Sequence, residues 1–301
     1  MKPHQYDVVV LTDERYVNPK YTDQYILNIL KEDGLVLDAL KTHGLRVCRQ
    51  SWSNPHFDWS LTRYILFRST WDYFERAEEW KKWLSEVSEQ TQLINSHETV
   101  LWNMDKHYLE DLMQQNINVP PIRYIEAGES VVLAQLVDEI DEEVVILKPC
   151  FSASARHTYK IVGEVNEDLE KTFQNLIQIE AMMLQPFQHS VPKKGEISMM
   201  IMGGTFTHAV LKKPKLGDFR VQDDFGGSVE LYQPNKEEIA FAEATVAACP
   251  TPPIYARVDI IEDNDGQLAL IEMELIEPEL WFRFYPEGAR VLGNAVAAFI
   301  Q

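Results

Sequence analysis

Apolar and polar positions along the 301 residues fall into short solid runs and longer periodic stretches. YDVVVLT (6–12) is almost wholly apolar over a strand's length, the pattern of a buried strand. Residues 25–44 instead repeat Ile26, Ile29, Leu30, Leu37 and Leu40 on related helical faces, with Gly44 as the stop. LRVCRQSW (45–52) and RYILFRSTW (63–71) read as further strands, and AEEWKKWLSEVSEQ (77–90) as another helix. Strands alternating with helices predict a parallel α/β sheet. Ligands of such sheets sit beyond the carboxyl ends of the strands. Those ends carry Thr12, Asp13 and Glu14, then Arg68, Ser69, Thr70, Trp71 and Asp72.

The pattern changes near residue 100. Residues 93–125 give a short strand, a helix and an extended Pro-Pro exit. VVILKPC (144–150) predicts a strand ending at Lys148, followed by the small-residue turn FSASARHTYK (151–160). IEAMMLQPF (179–187) is a strand or linker stopped by Pro186. GEISMMIMGGTFTHAVLKK (195–213) predicts two antiparallel strands joined at Gly203–Gly204. KEEIAFAEATVAAC (236–249) predicts a helix with Ile239, Ala242, Val246 and Cys249 on one face. The last recognisable unit, IYARVDIIEDNDGQLALIEMEL (254–275), predicts a hairpin about Asp265–Gly266. Domain boundaries are expected at 1–101, 102–185 and 186–301.

That hairpin carries the chemistry. Side chains two apart on a strand share a face, so Glu272 and Glu274 are neighbours. A two-residue turn at Asp265–Gly266 would place Asp259 opposite Glu272 and Arg257 opposite Glu274. Three acids then converge beside one arginine, and like charges directly opposite are destabilising. Either the face is solvated and Arg257 balances one acid, or the acids hold a hard cation such as magnesium. The opposite face, Val258, Ile260, Ile271, Met273 and Leu275, would anchor the hairpin in a core. Spacing alone leaves both readings open.

Composition narrows the classes. A formal net charge of -19 argues against a general nucleic-acid or membrane-surface binder, whose footprint is basic. No run approaches the roughly 20 apolar residues of a membrane-spanning helix, and the N-terminal run bounded by acids fits a first strand better than a signal peptide. The three cysteines, Cys48, Cys150 and Cys249, lack zinc-site spacing and point to a reducing, cytoplasmic setting. VVVLTDERY has no glycine, so the first α/β unit lacks the G-x-G-x-x-G of a dinucleotide-dependent oxidoreductase. Cations stand apart from the acids in sequence: Lys106 at a helix start, Lys148 at a strand end, and Lys212, Lys213, Lys215 and Arg220 within KKPKLGDFR. Each has an ordinary reading as a solvated or snorkelling side chain.

Taken in order, NMDKHYL, VVILKPCFSASARHTY, MMLQPF, GEISMMIMGGTFTHAVLKKPKLGDFRVQDDFGG and YARVDI…LIEMELIEPELWF resemble the ATP-grasp superfamily of carboxylate-amine ligases. The likeness is closest to the branch holding glutathione synthetase-like enzymes and the ligase of D-cycloserine biosynthesis. It implies an α/β and α+β chain: an N-terminal parallel α/β substrate domain (1–101), a lid subdomain (102–185) and a C-terminal catalytic subdomain (186–301), with ATP between the last two. It implies that Lys106 and Lys148 contact ATP phosphates and that Gln185 and Phe187 meet the adenine through the linker backbone. Glu196 would then meet the ribose, and Asp259, Glu272 and Glu274 would bind one or two Mg2+. Lys212 and Arg220 would face the acyl-phosphate. The loop is usually glycine-rich, whereas here Ser152 and Ser154 would supply hydroxyl donors. The third metal position is often Asn, and here it is Glu274, which favours a second cation or pairing with Arg257.

The implied reaction activates a carboxylate as acyl-phosphate and passes it to an amine. An amino acid or small peptide is the expected substrate, with Arg257 among its contacts and with Arg68 gripping its carboxylate and Asp72 its amine, unless these two simply pair with each other. The charge balance leaves no nucleic-acid or membrane partner expected, and dimers or tetramers are common among such enzymes. The alternative is a nucleotide-binding regulator or scaffold without ligase activity.

Overall fold

The computed structural model describes residues 3–151, 156–215 and 226–301, so Ser152, Ser154 and Arg220 lie outside the described residues. The first sheet is parallel, in the order β2-β1-β3-β4, from β1 (Tyr6–Thr12), β2 (Val47–Ser51), β3 (Thr62–Ser69) and β4 (Gln92–Ile94). Both of its faces are covered, which is why β1 is apolar at nearly every position. Val8 and Val10 pack with Val36 and Leu40 of the helix Gln24–Thr42. Val9 and Leu11 pack with Trp80, Leu84 and Val87 of the helix Ala77–Ser88.

The second sheet runs β5-β8-β6-β7 and is antiparallel, from β5 (Arg123–Ile125), β6 (Val144–Pro149), β7 (Tyr159–Val162) and β8 (Met182–Pro186). The third is antiparallel in the order β11-β10-β9-β12-β13, from β9 (Glu196–Met202), β10 (Thr205–Lys213), β11 (Ser228–Tyr232), β12 (Tyr255–Glu262) and β13 (Leu268–Glu274). Gly203 and Gly204 both have positive φ, as the tight turn between β9 and β10 requires. One face of this sheet lies under the helix Lys236–Ala247, with Met199, Ala256 and Val258 against Ala242 and Val246.

The other face is divided. Met200, Met202, Val210 and Tyr255 join the core of the first sheet, together with the C-terminal helix Pro286–Ile300. The periodicity reading above does not include that helix. Its sequence signals are a proline at the first helical position and apolar residues at Leu292, Val296 and Ile300. No helix among the described residues is long and apolar enough to cross a membrane.

His208 of β10 is buried at this junction, its ring stacked on Tyr285 and its Nε2–H donating to the Leu280 carbonyl at 2.8 Å. Burial pushes its imidazolium down to about 4, although the bond to Leu280 pulls the other way. Because the folded value is depressed from 6.5, the stability from neutral His208 is complete above pH 6.5 and is lost as pH falls towards 4. Between pH 7.5 and pH 4.5 that loss should be about 2–3 kcal/mol. His208→Gln should remove this part of the acid sensitivity, read from urea midpoints at the two pH values.

The β12–β13 hairpin differs from expectation at its tip. Asp263 N–H donates to the Gln267 carbonyl and Gly266 N–H to the Asp263 carbonyl, so the loop has three residues, 264–266, with Gly266 at positive φ. Pairing near the tip is therefore displaced by one, Ile260 facing Leu270. A bulge at Ile271 absorbs the displacement, and beyond it Asp259 faces Glu272 and Arg257 faces Glu274, as expected. The bulge turns Ile271 out of the core and into the cleft, while Met273 and Leu275 stay in the core.

β13 is an edge strand, and its outer backbone groups are taken by residues 103–118. Asn103 donates to the Met273 carbonyl and accepts from Leu275 N–H, each at 2.8 Å. The Tyr108 hydroxyl accepts from Met273 N–H at 2.8 Å, and the Asn118 carbonyl from Leu270 N–H at 2.8 Å. Tyr108→Phe leaves a buried N–H without an acceptor and should cost about 1–3 kcal/mol, measurable by urea denaturation.

Candidate active site

The part of the third sheet's inner face that the first sheet leaves uncovered carries Glu196 and Ser198 on β9, Lys212 on β10, Arg257 and Asp259 on β12, and Glu272 and Glu274 on β13. Register makes them neighbours: Lys212 is opposite Glu196, and Asp259 is opposite both Ser198 and Glu272. All of them except Ser198 line a cleft of about 330 Å³, together with Lys106, Lys148, Gln185 and Phe187. Residues scattered over 169 positions, from Lys106 to Glu274, thus meet in one place.

The charges are interleaved. Asp259 accepts from Ser198 Oγ at 2.5 Å, from Arg257 at 2.9–3.1 Å and from Lys212 Nζ at 3.2 Å. Lys212 also pairs with Glu196, and Arg257 with Glu274. Lys106 Nζ reaches Glu272 at 3.1 Å. Burial would raise Asp259, but Arg257 and then Lys212 hold it below the usual carboxylate range. Burial likewise opposes Lys106 and Lys148 at Glu272, and the lysines prevail, lowering it. Glu274 goes the other way: burial, with the charges of Glu272 and Asp259, lifts it to about 7 against the pull of Arg257.

Lys148 is pushed down by burial. Gln185 is buried, and its Nε2 has no hydrogen-bond partner. A desolvated ammonium and an orphaned donor at one end of a cleft suit an acceptor-rich ligand such as a nucleotide. Phe187 presents its ring, with Lys160 Nζ 4.4 Å above it. Its backbone N–H donates to the Val144 carbonyl and its carbonyl accepts from Asn264 Nδ2.

Arg68 and Asp72 stand apart from this set, and they do not pair with each other. Arg68 is buried, donates to the Pro278 carbonyl at 3.0 Å and lines a smaller pocket with Glu32, Asp33 and Glu279. Asp72 accepts from Trp52 Nε1 at 2.7 Å and from Arg76 at 2.8 Å.

Sequence reasoning missed the far wall, which comprises Tyr25, Tyr73, Phe74, Glu277 and Trp281. Trp281 lies under two cations, Arg257 at 5.2 Å and Lys212 at 5.6 Å, and holds a positive φ that is strained for a bulky residue. The signal was present in IEPELWF, where two acids and a tryptophan follow the metal-type acids directly.

Comparison with known families agrees with this geometry. Residues 104–275, more than half of the chain, match the RimK-like ATP-grasp domain, and residues 8–95 match the N-terminal domain of D-cycloserine synthetase DcsG. The chain belongs to the RimK-like ATP-grasp family. This RimK-like chain is 28% identical over 293 residues to the cycloserine biosynthesis protein DcsG of Streptomyces lavendulae, covering 92% of this chain and 96% of that protein. The crystal structure of D-cycloserine synthetase DcsG superposes with a TM-score of 0.85 at 25% identity, over 98% of this chain and 99% of that one. The ATP-grasp RimK domain protein of Sphaerobacter thermophilus DSM 20745 shares the fold, with a TM-score of 0.64 at 16% identity over 97% and 98% of the two chains. As an ATP-grasp enzyme of this branch, the chain is an ATP-dependent ligase that joins a carboxylate to an amine. That decides for the ligase over the non-catalytic nucleotide binder.

Proposed function

We propose that the cleft activates the carboxylate of an amino acid or small peptide with MgATP and passes it to an amine. The observation that carries this reading is the acidic cluster Asp259, Glu272 and Glu274, register-locked between Lys106, Lys212 and Arg257. The cycloserine enzymes among its relatives support an amino-acid-derived substrate.

In this reading residues 1–101 wall the substrate end, 102–185 form the lid and 186–301 carry the catalytic face. Lys106 and Lys148 hold ATP phosphates, Gln185 and the Phe187 ring flank the base, and Glu196 faces the ribose. Asp259, Glu272 and Glu274 hold magnesium, which supplies charge neutralisation to the transferring phosphoryl group. Arg257 already pairs with Glu274, so one ion suffices. Lys212, with Arg220 beyond the described residues, stabilises negative charge on the acyl-phosphate and the departing phosphate. Arg68 acts through the Pro278 carbonyl, setting the position of the 277–279 segment, whose Glu279 lines both pockets, and Asp72 anchors Trp52 and Arg76.

The test is ATP-dependent hydroxamate and ADP formation with hydroxylamine across D- and L-amino acids, D-serine included. Product with one amino acid or a few supports the reading. ADP formation without any hydroxamate would remove the carboxylate-activation step from it.

A further inference from the structure

Glu277 follows Glu274 by three residues, lines the same cleft and is 7% exposed. Its Oε2 has no hydrogen-bond partner. The nearby Arg257 guanidinium is engaged by Asp259 and Glu274. A buried carboxylate left this way is costly to the fold, and such groups concentrate where chemistry uses them.

Its mount is rigid. Three successive carbonyls are held by side-chain donors: Ile276 by the Tyr255 hydroxyl at 2.6 Å, Glu277 by Trp71 Nε1 at 2.9 Å and Pro278 by Arg68 at 3.0 Å. The cleft that Glu277 lines is also lined by Tyr25, Trp71 and Tyr73. Aromatic faces and a carboxylate in one cleft suit an ammonium ion. The phosphate end of the cleft, with Lys106, Lys148 and Lys212, repels one.

We propose that Glu277 and these aromatic walls form the subsite for the substrate's amine, a primary alkylamine, and that Glu277 takes the proton that frees its nitrogen lone pair. The inference rests on the ligase reading above. The ammonium gives one proton to the Glu277 carboxylate. The freed lone pair forms the C–N bond to the acyl carbon. The bond from that carbon to the phosphoryl oxygen breaks, and its electron pair leaves on phosphate. The second N–H proton goes to the departing phosphate, and the proton on Glu277 returns to solvent.

Burial, and next the charge of Glu274, lifts Glu277 to about 8, while Tyr73 and Arg257 pull the other way. The buried Tyr255 hydroxyl lies within range of its charge, and Arg68 is held on the adjoining Pro278 carbonyl. A base of that strength is matched to work near neutral pH.

The test compares two nucleophiles on Glu277→Gln and Glu277→Asp, with the amino acid that gives hydroxamate in the screen. Hydroxylamine is largely uncharged at pH 7.5 and needs no base, whereas methylamine is cationic. The Gln variant should lose about 100-fold or more in kcat/KM for methylamine, and the alkaline rise in that parameter with it. Its hydroxamate formation and its KM for ATP should stay within about threefold of wild type, and Asp should restore part of the methylamine rate. Equal losses with both nucleophiles, or an unchanged methylamine pH profile, would overturn the proposal. If wild type forms no hydroxamate at all, the activation reading fails by itself. Saturation-transfer NMR with methylammonium and the MgADP complex then reads the subsite directly. Binding that is lost in the Gln variant supports it, and equal binding, or none, in both proteins overturns it.

Discussion

Glu272→Gln should abolish magnesium-dependent ADP formation, with turnover down by about three orders of magnitude and no fall in melting temperature. Glu272 is the acid of the cluster that can be changed most cleanly. Its side chain is 34% exposed and its ion-pair partner is Lys106, itself at the cleft wall. Asp259 is a poorer probe, because its side chain is 2% exposed and it balances both Arg257 and Lys212. Removing its charge leaves the buried Arg257 and Lys212 with one carboxylate each, Glu274 and Glu196, and a loss of stability would mimic loss of function. Turnover by the Gln variant that still responds to a magnesium titration as wild type does would remove Glu272 from the metal site.

Lys148→Met should weaken ATP binding about 10- to 100-fold, the range for losing a charge-assisted hydrogen bond, without destabilising the free protein. The two effects separate because burial already works against this ammonium in the folded chain. Methionine fills the volume without a desolvated charge. Calorimetric titration with ATP reads the first effect, and thermal melting without nucleotide the second. An unaltered dissociation constant would place the phosphates elsewhere, and a large drop in melting temperature would make Lys148 a structural residue.

Much of the fold was legible because its signals are local. The parallel first sheet follows from solid apolar runs alternating with helical periodicity, and the β9–β10 hairpin from Gly203–Gly204. The acids of β12 and β13 were legible because a strand's period of two fixes which side chains share a face. Their pairing came out as expected although the turn did not, because the bulge at Ile271 cancels the extra loop residue. Two departures from regularity that compensate leave no trace in an alternating pattern.

The unread parts depend on contacts distant in sequence. Asn103 and Tyr108 look like ordinary helix-region residues, yet they serve β13 from about 170 residues away. Glu277 reads as one more acid in an acidic chain, and its burial depends on Trp71, Arg68 and Tyr255 holding the segment in place. Arg68 and Asp72 lie at the expected strand end, but strand-end placement cannot say which side chains are already engaged by Pro278, Trp52 and Arg76.

Lys106 has a double allegiance. Its backbone is tied to the second sheet's side of the cleft, N–H to the Cys150 carbonyl and carbonyl from the Tyr124 hydroxyl, while its ammonium crosses to Glu272 on the third. In this structure the acids and cations of the cleft neutralise one another. In the proposed reading nucleotide and magnesium would enter by exchange: phosphate would take the place of Glu272 on Lys106, and the metal the place of Lys106 on Glu272. The number of ion pairs would be nearly conserved, but the strut joining the two sheets would pass from the protein to the ligand.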